Sequence, residues 1–365
     1  MAGLRPLSES DVPQVADLVW RVLHGHRGSA PSSLREYLSD LFLRNPWLDD
    51  GIVSRLFEDV NGKVVAFFGA VPRQMSIQGR SIKMAFGSNF VVDPESRASM
   101  VALQLVKAFM KGPQDISITD SATDGSRQLL RSLGFSVVPI YSLQWARPLR
   151  PSRYMVHALS RLKKKAWIES LASPLCAVAD GVSLRTKLNP FHQSRPTATG
   201  EALTTEALLE CVSRIPSKHW LIPEYSHESL DWIFRFISKR NAFGEIRRVL
   251  IRNRDQKIIG WCIYSAVPGR VGEVLQLGVE SASVSAVLDF LFYDAWEQGL
   301  IGLHGRMEPQ FMQDLTAKGC LFLRHGSWTL IHSGRPELLG LIQSGTAFFS
   351  RLEGEWCLRH GGNHA

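Results

Sequence analysis

Residues 81–135 constrain the fold of this chain most. Residues 82–92 read as a strand, Asp93-Pro94 as a turn, and a helix begins at Arg97 and runs to about Lys111. A second apolar strand near 116–119 ends at Asp120-Ser121, and a short helix then closes on Leu133-Gly134-Phe135. A helix that follows a strand through a tight loop presents first-turn amides with no partner inside the helix. Those amides, helped by the helix dipole, form a ready site for a phosphate.

The flanking sequence extends this unit. Residues 4–7 suit a first strand, and Ser8 or Ser10 can cap a helix over 11–23 with Pro13 in its first turn. A second short helix fits 34–43, with Leu34, Leu38 and Leu41 on one face. Asn61-Gly62 predicts a hairpin between 54–60 and 63–71, and Gln78-Gly79 another between 73–77 and 80–92. Residues 137–145 read as the strand that completes the unit. Helices and a mixed sheet in this order give an α/β sandwich.

A basic connection follows. Residues 146–200 hold ten Lys and Arg against two acids, Glu169 and Asp180, while the whole chain of 365 residues has a net charge of +8. The positive charge therefore belongs to one connecting region, including Lys163, Lys164 and Lys165, and not to a general nucleic-acid surface. Such a window suits either a solvated helix face or contact with an anionic membrane through 147–187. Beyond it the order repeats: a hairpin over 245–265, a strand at 271–279, a helix at 284–297, a strand at 300–304, a helix closing on Lys318-Gly319-Cys320, and a last strand at 328–332. The five cysteines are widely spaced, with no CxxC, which argues against a zinc site and for a reducing compartment. No apolar run approaches the length of a membrane span, and no secretory signal is evident, so a cytoplasmic protein is expected.

This order of elements resembles the GNAT superfamily of acyl-CoA-dependent acyltransferases. Phe90-Val91-Val92-Asp93-Pro94 is similar to the family's splayed strand and turn. Arg97-Ala98-Ser99-Met100-Val101-Ala102 lies where the family has its pyrophosphate loop, and 123–135 resembles its late helix. The resemblance implies two tandem GNAT-like mixed-sheet α/β sandwich domains, 1–146 and 201–365, joined by a basic helical linker over 147–200. It implies acetyl-CoA or another acyl-CoA as cosubstrate, bound by Phe90, Val91, Val92 and Arg97 to Ala102, with no metal. The acceptor would be an amine or hydroxyl of a small molecule or envelope-glycan precursor, the latter by analogy with Fem-type aminoacyltransferases. Departures from the family pattern are Met100 in place of a Gly and Leu130 in place of a catalytic Tyr, with no carboxylate on 82–92. These departures leave open a second reading, a binding or scaffold protein that has lost the chemistry.

Individual residues keep two readings each. Asp120 is the candidate base or a strand-end turn residue, and Ser121 an oxyanion donor or part of that turn. Asp124 reads as a helix N-cap. His24 and His26 lie either in a surface loop or beside the acceptor. In the tail, Glu353 and Glu355 beside Trp356 suit either a solvated turn or an amine-binding pair.

Overall fold

Strand β3 (Val64–Ile77) and strand β4 (Arg80–Val92) are the longest pair of the molecule and its organising hairpin. Their side chains alternate between two cores. Phe67, Val71, Met75, Met84 and Phe86 enter one, and Ala66, Phe68, Ala70 and Ala85 the other. The computed structural model describes residues 3–96, 98–162, 175–181, 189, 191–214, 221–239, 244–324 and 327–360, and the side chains of 98, 99, 162 and 281 are not described.

The first sheet has the order β1-β2-β3-β4-β5-β15-β6, with β9 paired to the far end of β3. Here β1 is Gly3–Pro6, β2 Arg55–Glu58, β5 Ile116–Ala122, β6 Ser136–Val137, β9 Leu221–Pro223 and β15 Trp328–His332. The helix Ala98–Met110 covers one face with Val101, Leu105, Val106 and Phe109. The helices Val12–Val22, Ser32–Phe42 and His227–Ser238 cover the other. Gly69 allows the close approach of helix and sheet there, since a Cβ would collide with the Phe42 ring.

The second sheet has the order β14-β7-β13-β12-β11-β10-β8. Its strands are β7 (Leu143–Pro148), β8 (Thr199–Ala202), β10 (Glu245–Arg252), β11 (Ile258–Ala266), β12 (Val271–Val279), β13 (Gly302–Arg306) and β14 (Leu321–Arg324). The helix Val284–Glu297 buries Leu288, Leu291 and Phe292 against it. Two mixed sheets clothed by helices are the expected α/β architecture.

The pairing of two strands corrects the sequence reading. Residues 137–145 do not form one strand that closes the first sheet. Pro139 lacks an N–H and starts a short helix, Pro139–Ser142, which turns the chain away. The following strand β7 lies in the second sheet, between β13 and β14. Reciprocally, β15 leaves the second half and inserts between β5 and β6. The two halves therefore exchange strands. Strand β14 was not anticipated, and the helix Pro336–Gln343 precedes the tail. Lys163, Lys164 and Lys165 lie outside the described residues, as do 163–174 and 182–187 of the segment assigned to membrane contact. Among the described residues no helix is long and apolar enough to cross a membrane.

Candidate active site

Strands β4 and β5 are parallel neighbours for three residue pairs only, from Met84↔Ile116 to Phe86↔Ile118. Beyond Phe86 they diverge, so residues 87–92 have no strand partner on the side turned away from β3. A bulge helps to open this gap. Phe67 pairs with Val91 and Gly69 with Ser88, leaving Asn89 and Phe90 opposite Phe68 alone. Asn89 takes φ +51°, a left-handed conformation that Asn adopts more readily than most side chains.

The tail of the chain reaches the mouth of the gap. Residues 347–358 run across both sheets, and their backbone is tied down along the way. Tyr141 Oη donates to Ala347 O (2.7 Å), Phe348 N to Leu221 O (2.8 Å) and Leu352 N to Leu275 O (3.0 Å). The short helix Glu355–Leu358 then starts at the mouth of the split. Its first amide, Glu355 N, donates to Asp120 Oδ1 (3.1 Å). Gly354 is required at this approach, because a Cβ there would strike the Asp120 carboxylate.

The Glu355 side chain bridges the two diverging strands. From β4 it accepts hydrogen bonds from Ser88 Oγ (2.9 Å) and, more weakly, from Asn89 N (3.4 Å). From β5 it accepts one from Ser121 Oγ. Burial pushes the Glu355 carboxyl up to about 7, with Asp120 adding to the rise and Arg359 opposing it. A carboxyl poised there exchanges its proton near neutral pH, as a general base or acid must.

Asp120, the base expected from the sequence, is fully committed elsewhere. It is 2% exposed and paired with Arg306 of β13, which also donates to Ser350 O (3.4 Å) and lies over the Phe349 ring (4.7 Å). The pair joins the two sheets through the tail. Asp120 thus positions Glu355 through its amide and raises its pKa through its charge. Ser121 is where the sequence placed it, at the end of β5, with its hydroxyl on Glu355. Asp124 does not cap its helix. Thr123 does so, accepting from Ser126 N (3.3 Å), while Asp124 accepts from Trp328 Nε1 (2.8 Å).

The expected phosphate loop is partly described. Arg97 lies outside the described residues. The helix after it starts at Ala98, with Met100 exposed and Val101 and Ala102 buried. Phe90 and Val92 are half-buried and Val91 is buried. In the turn, Asp93 faces inward. Burial alone would raise its pKa, but the Glu95 amide, Lys63 and Arg21 outweigh this and lower it. Arg21 (2.7 Å) and Lys63 (3.3 Å) thereby stand beside the loop, each about half-exposed. Leu130 is core at 3% exposure, so no acid replaces the tyrosine there.

The tail is not the solvated turn that the charge of Glu353 and Glu355 suggested. Ser350, Arg351, Leu352 and Glu353 are each 2% exposed or less. Glu353 accepts from Tyr225 Oη, Gln276 Nε2 (3.1 Å), Ser350 N (2.7 Å) and Ser350 Oγ (2.6 Å), which saturates a carboxylate. Arg351 pairs with Glu273 of β12 and stacks on Trp356. The residues that sequence reasoning missed are Ser88, Asn89, Arg306 and the role of Glu355. One signal was available. The acids of the tail are flanked by Phe348, Phe349, Leu352, Trp356, Cys357 and Leu358, an apolar setting that calls for burial.

A buried acid near this seam gives a pH test. Glu308 is 5% exposed, and burial raises it to about 8. With a folded pKa above the ordinary 4.5, the native state binds the proton more tightly than the unfolded chain does. Its contribution is complete below about pH 4.5 and is lost as pH rises through about 8. Glu355 acts in the same direction through about 7. The urea midpoint is expected to fall between pH 5 and 9, and to fall less in Glu308→Gln.

Solved structures share this fold at low sequence identity. A GCN5-related N-acetyltransferase of Anabaena variabilis superposes with a TM-score of 0.58 at 13% identity, covering 90% of this chain and 72% of its own. A probable N-acyltransferase of Enterococcus faecalis gives 0.57 at 11% identity, covering 91% and 73%. N-myristoyltransferase of Saccharomyces cerevisiae, solved with myristoyl-CoA and inhibitors, gives 0.51 at 13% identity, covering 90% and 79%. By sequence, residues 3–118 match the family described as an acetyltransferase (GNAT) domain. The chain has a GNAT fold. The matched span runs from β1 into β5, and so includes β4. No curated protein matches the sequence.

Proposed function

We propose that this protein is an acyltransferase that moves an acyl group, acetyl first among them, from acyl-CoA to an amine or hydroxyl of a small acceptor. The observation that carries this reading is the Glu355 carboxylate, raised to about 7 and held across the β4–β5 split by Ser88, Asn89 and Ser121. The split fits the pantetheine arm, because the backbone of residues 87–92 lacks a neighbouring strand on that side. The start of the helix Ala98–Met110, with Arg21 and Lys63 on Asp93 of the turn before it, fits the pyrophosphate, and the sequence adds the cation of Arg97. The inward turn of Asp93 keeps its charge away from that group.

Bound acyl-CoA would supply the thioester carbonyl. Glu355 takes the proton of the acceptor N–H or O–H as the acceptor bonds to the acyl carbon. The carbon–sulfur bond breaks and the sulfur leaves as the thiolate, to which protonated Glu355 returns the proton. Asn89 N and the hydroxyls of Ser88 and Ser121 are the donors available to the carbonyl oxygen once Glu355 turns to the acceptor. We also read the two halves as tandem GNAT-like units with only the first active. In the second, β12 and β13 diverge beyond Val274↔Gly305, but the tail backbone crosses that split, with Leu352 N on Leu275 O.

The test is direct. Acetyl-CoA is expected to raise the melting temperature, by the equivalent of about 2.7 kcal/mol at a hundred times its dissociation constant. With an accepted amine it is expected to release free thiol. Absence of both across short and long acyl-CoAs would favour the scaffold reading, for which the buried Leu130 already speaks.

A further inference from the structure

The packing at the apex of the β4–β5 split bears on the length of the acyl chain. Ser88 Oγ and Asn89 N hold Glu355 on the face of β4 that meets the tail. Two residues toward the apex, on that same face, stands Phe86, about 7 Å along the strand. Phe86 pairs with Ile118 at the last point where β4 and β5 are neighbours, and both are fully buried.

Phe86 is one plate of an aromatic wall. The Phe349 ring of the tail stacks on it, 5.8 Å between centroids and 8° between planes. Tyr141 meets Phe349 edge-on at 5.7 Å, and the Arg306 guanidinium covers Phe349 at 4.7 Å. Phe349 and Tyr141 are each 2% exposed. The cavity that Tyr141 shares with Asp120 and Arg306 has room for about one water molecule. The opposite face of β4 is closed as well. At Gly87 a Cβ would collide with the Phe68 ring, which packs on Phe109 at 4.7 Å. A chain descending the split from a carbonyl held at Asn89 N therefore runs into packed rings. The distance from Ser88 to Phe86, less the thickness of a ring, admits an acyl group of about two or three carbons.

We infer that the acyl group is acetyl or propionyl, and that Phe349, backing Phe86 at the apex of the split, is the residue that sets this limit. The inference rests on entry of acyl-CoA into the β4–β5 split, as proposed above, and not on turnover.

Binding of CoA, acetyl-CoA, propionyl-CoA and hexanoyl-CoA to the full chain is measured by titration calorimetry. In the wild type, hexanoyl-CoA is expected to bind about tenfold or more weakly than acetyl-CoA and propionyl-CoA, since extra methylenes pressed into packed rings are repelled. Phe349→Ala is expected to reverse the order of acetyl-CoA and hexanoyl-CoA, because the space left by a core ring stays dry and takes up apolar guests. Phe349→Leu, a smaller deletion that keeps more of the core filled, is expected to move the ratio part of the way. A ratio taken within one variant is insensitive to a general loss of stability. Phe292→Leu, in the core of the second sheet, is expected to leave it unchanged. Hexanoyl-CoA binding as tightly as acetyl-CoA in the wild type, or an unmoved ratio in both Phe349 variants, would overturn the inference. A ratio moved as far by Phe292→Leu would do the same. Thiol release separates the wall from the chemistry. The expected shift in ratio, with no thiol release from any of these acyl-CoAs, keeps the wall and removes the catalytic reading. Thiol release from hexanoyl-CoA at the acetyl-CoA rate in the wild type does the reverse. No binding of CoA or of any acyl-CoA removes both.

Discussion

Glu355→Gln is expected to lower kcat for acyl transfer by about 10²- to 10⁴-fold, the usual worth of a positioned general base. The fold should survive, because the amide retains the shape of the carboxyl and Ser88 and Ser121 can rotate their hydroxyls to suit it. Melting temperature and acetyl-CoA binding are the controls. In the wild type, kcat/KM should rise with pH through a limb near 7, where the Glu355 carboxyl loses its proton. That limb should vanish in Glu355→Gln. Asp120→Asn separates the two carboxylates. If Asp120 were the base, its loss would abolish turnover. Here Asp120 raises the Glu355 pKa, so Asp120→Asn should keep measurable turnover and move the limb to lower pH.

The second large effect is on stability. Asp120 and Arg306 form a buried pair that links β5 of one sheet to β13 of the other. Removing one partner leaves an uncompensated charge with almost no access to water. Asp120→Leu is expected to cost about 3–5 kcal/mol in urea unfolding. Replacing both, Asp120→Leu with Arg306→Leu, should recover much of that loss, since no charge then remains stranded. An additive double mutant would show that the pair is not coupled as the structure places it. Because the tail hangs on this pair, the single variant should also loosen residues 347–358, seen as faster amide exchange there.

Local signals in the sequence carried the elements well. Asn61-Gly62 located the β2–β3 hairpin, and Ser8 with Asp11 located the first helix, where both halves of a capping box form. Partner choice between sheets was not legible. Nothing in 143–148 or 328–332 states which of two similar sheets a strand will join. That depends on long-range packing, and only Pro139 hinted that the chain turns away. The site was half legible. Asp120 and Ser121 do lie at the end of β5, where an open sheet places functional groups. The carboxylate proposed here as the base, Glu355, comes from more than 230 residues further along the chain. A charged tail reads as solvated until the apolar residues around it are counted.

The central claim is that acyl-CoA enters the β4–β5 split and meets Glu355. A crystal structure with a non-transferable acyl-CoA analogue tests it most directly. The account predicts the acyl carbonyl between residues 87–92 and 119–122, within hydrogen-bond reach of Asn89 N, with Glu355 turned toward the acceptor side and the pyrophosphate at the start of the helix Ala98–Met110. Density for the analogue in the second split, beside Leu275 and Arg306, or its exclusion from the first by an unmoved Glu355, would contradict it.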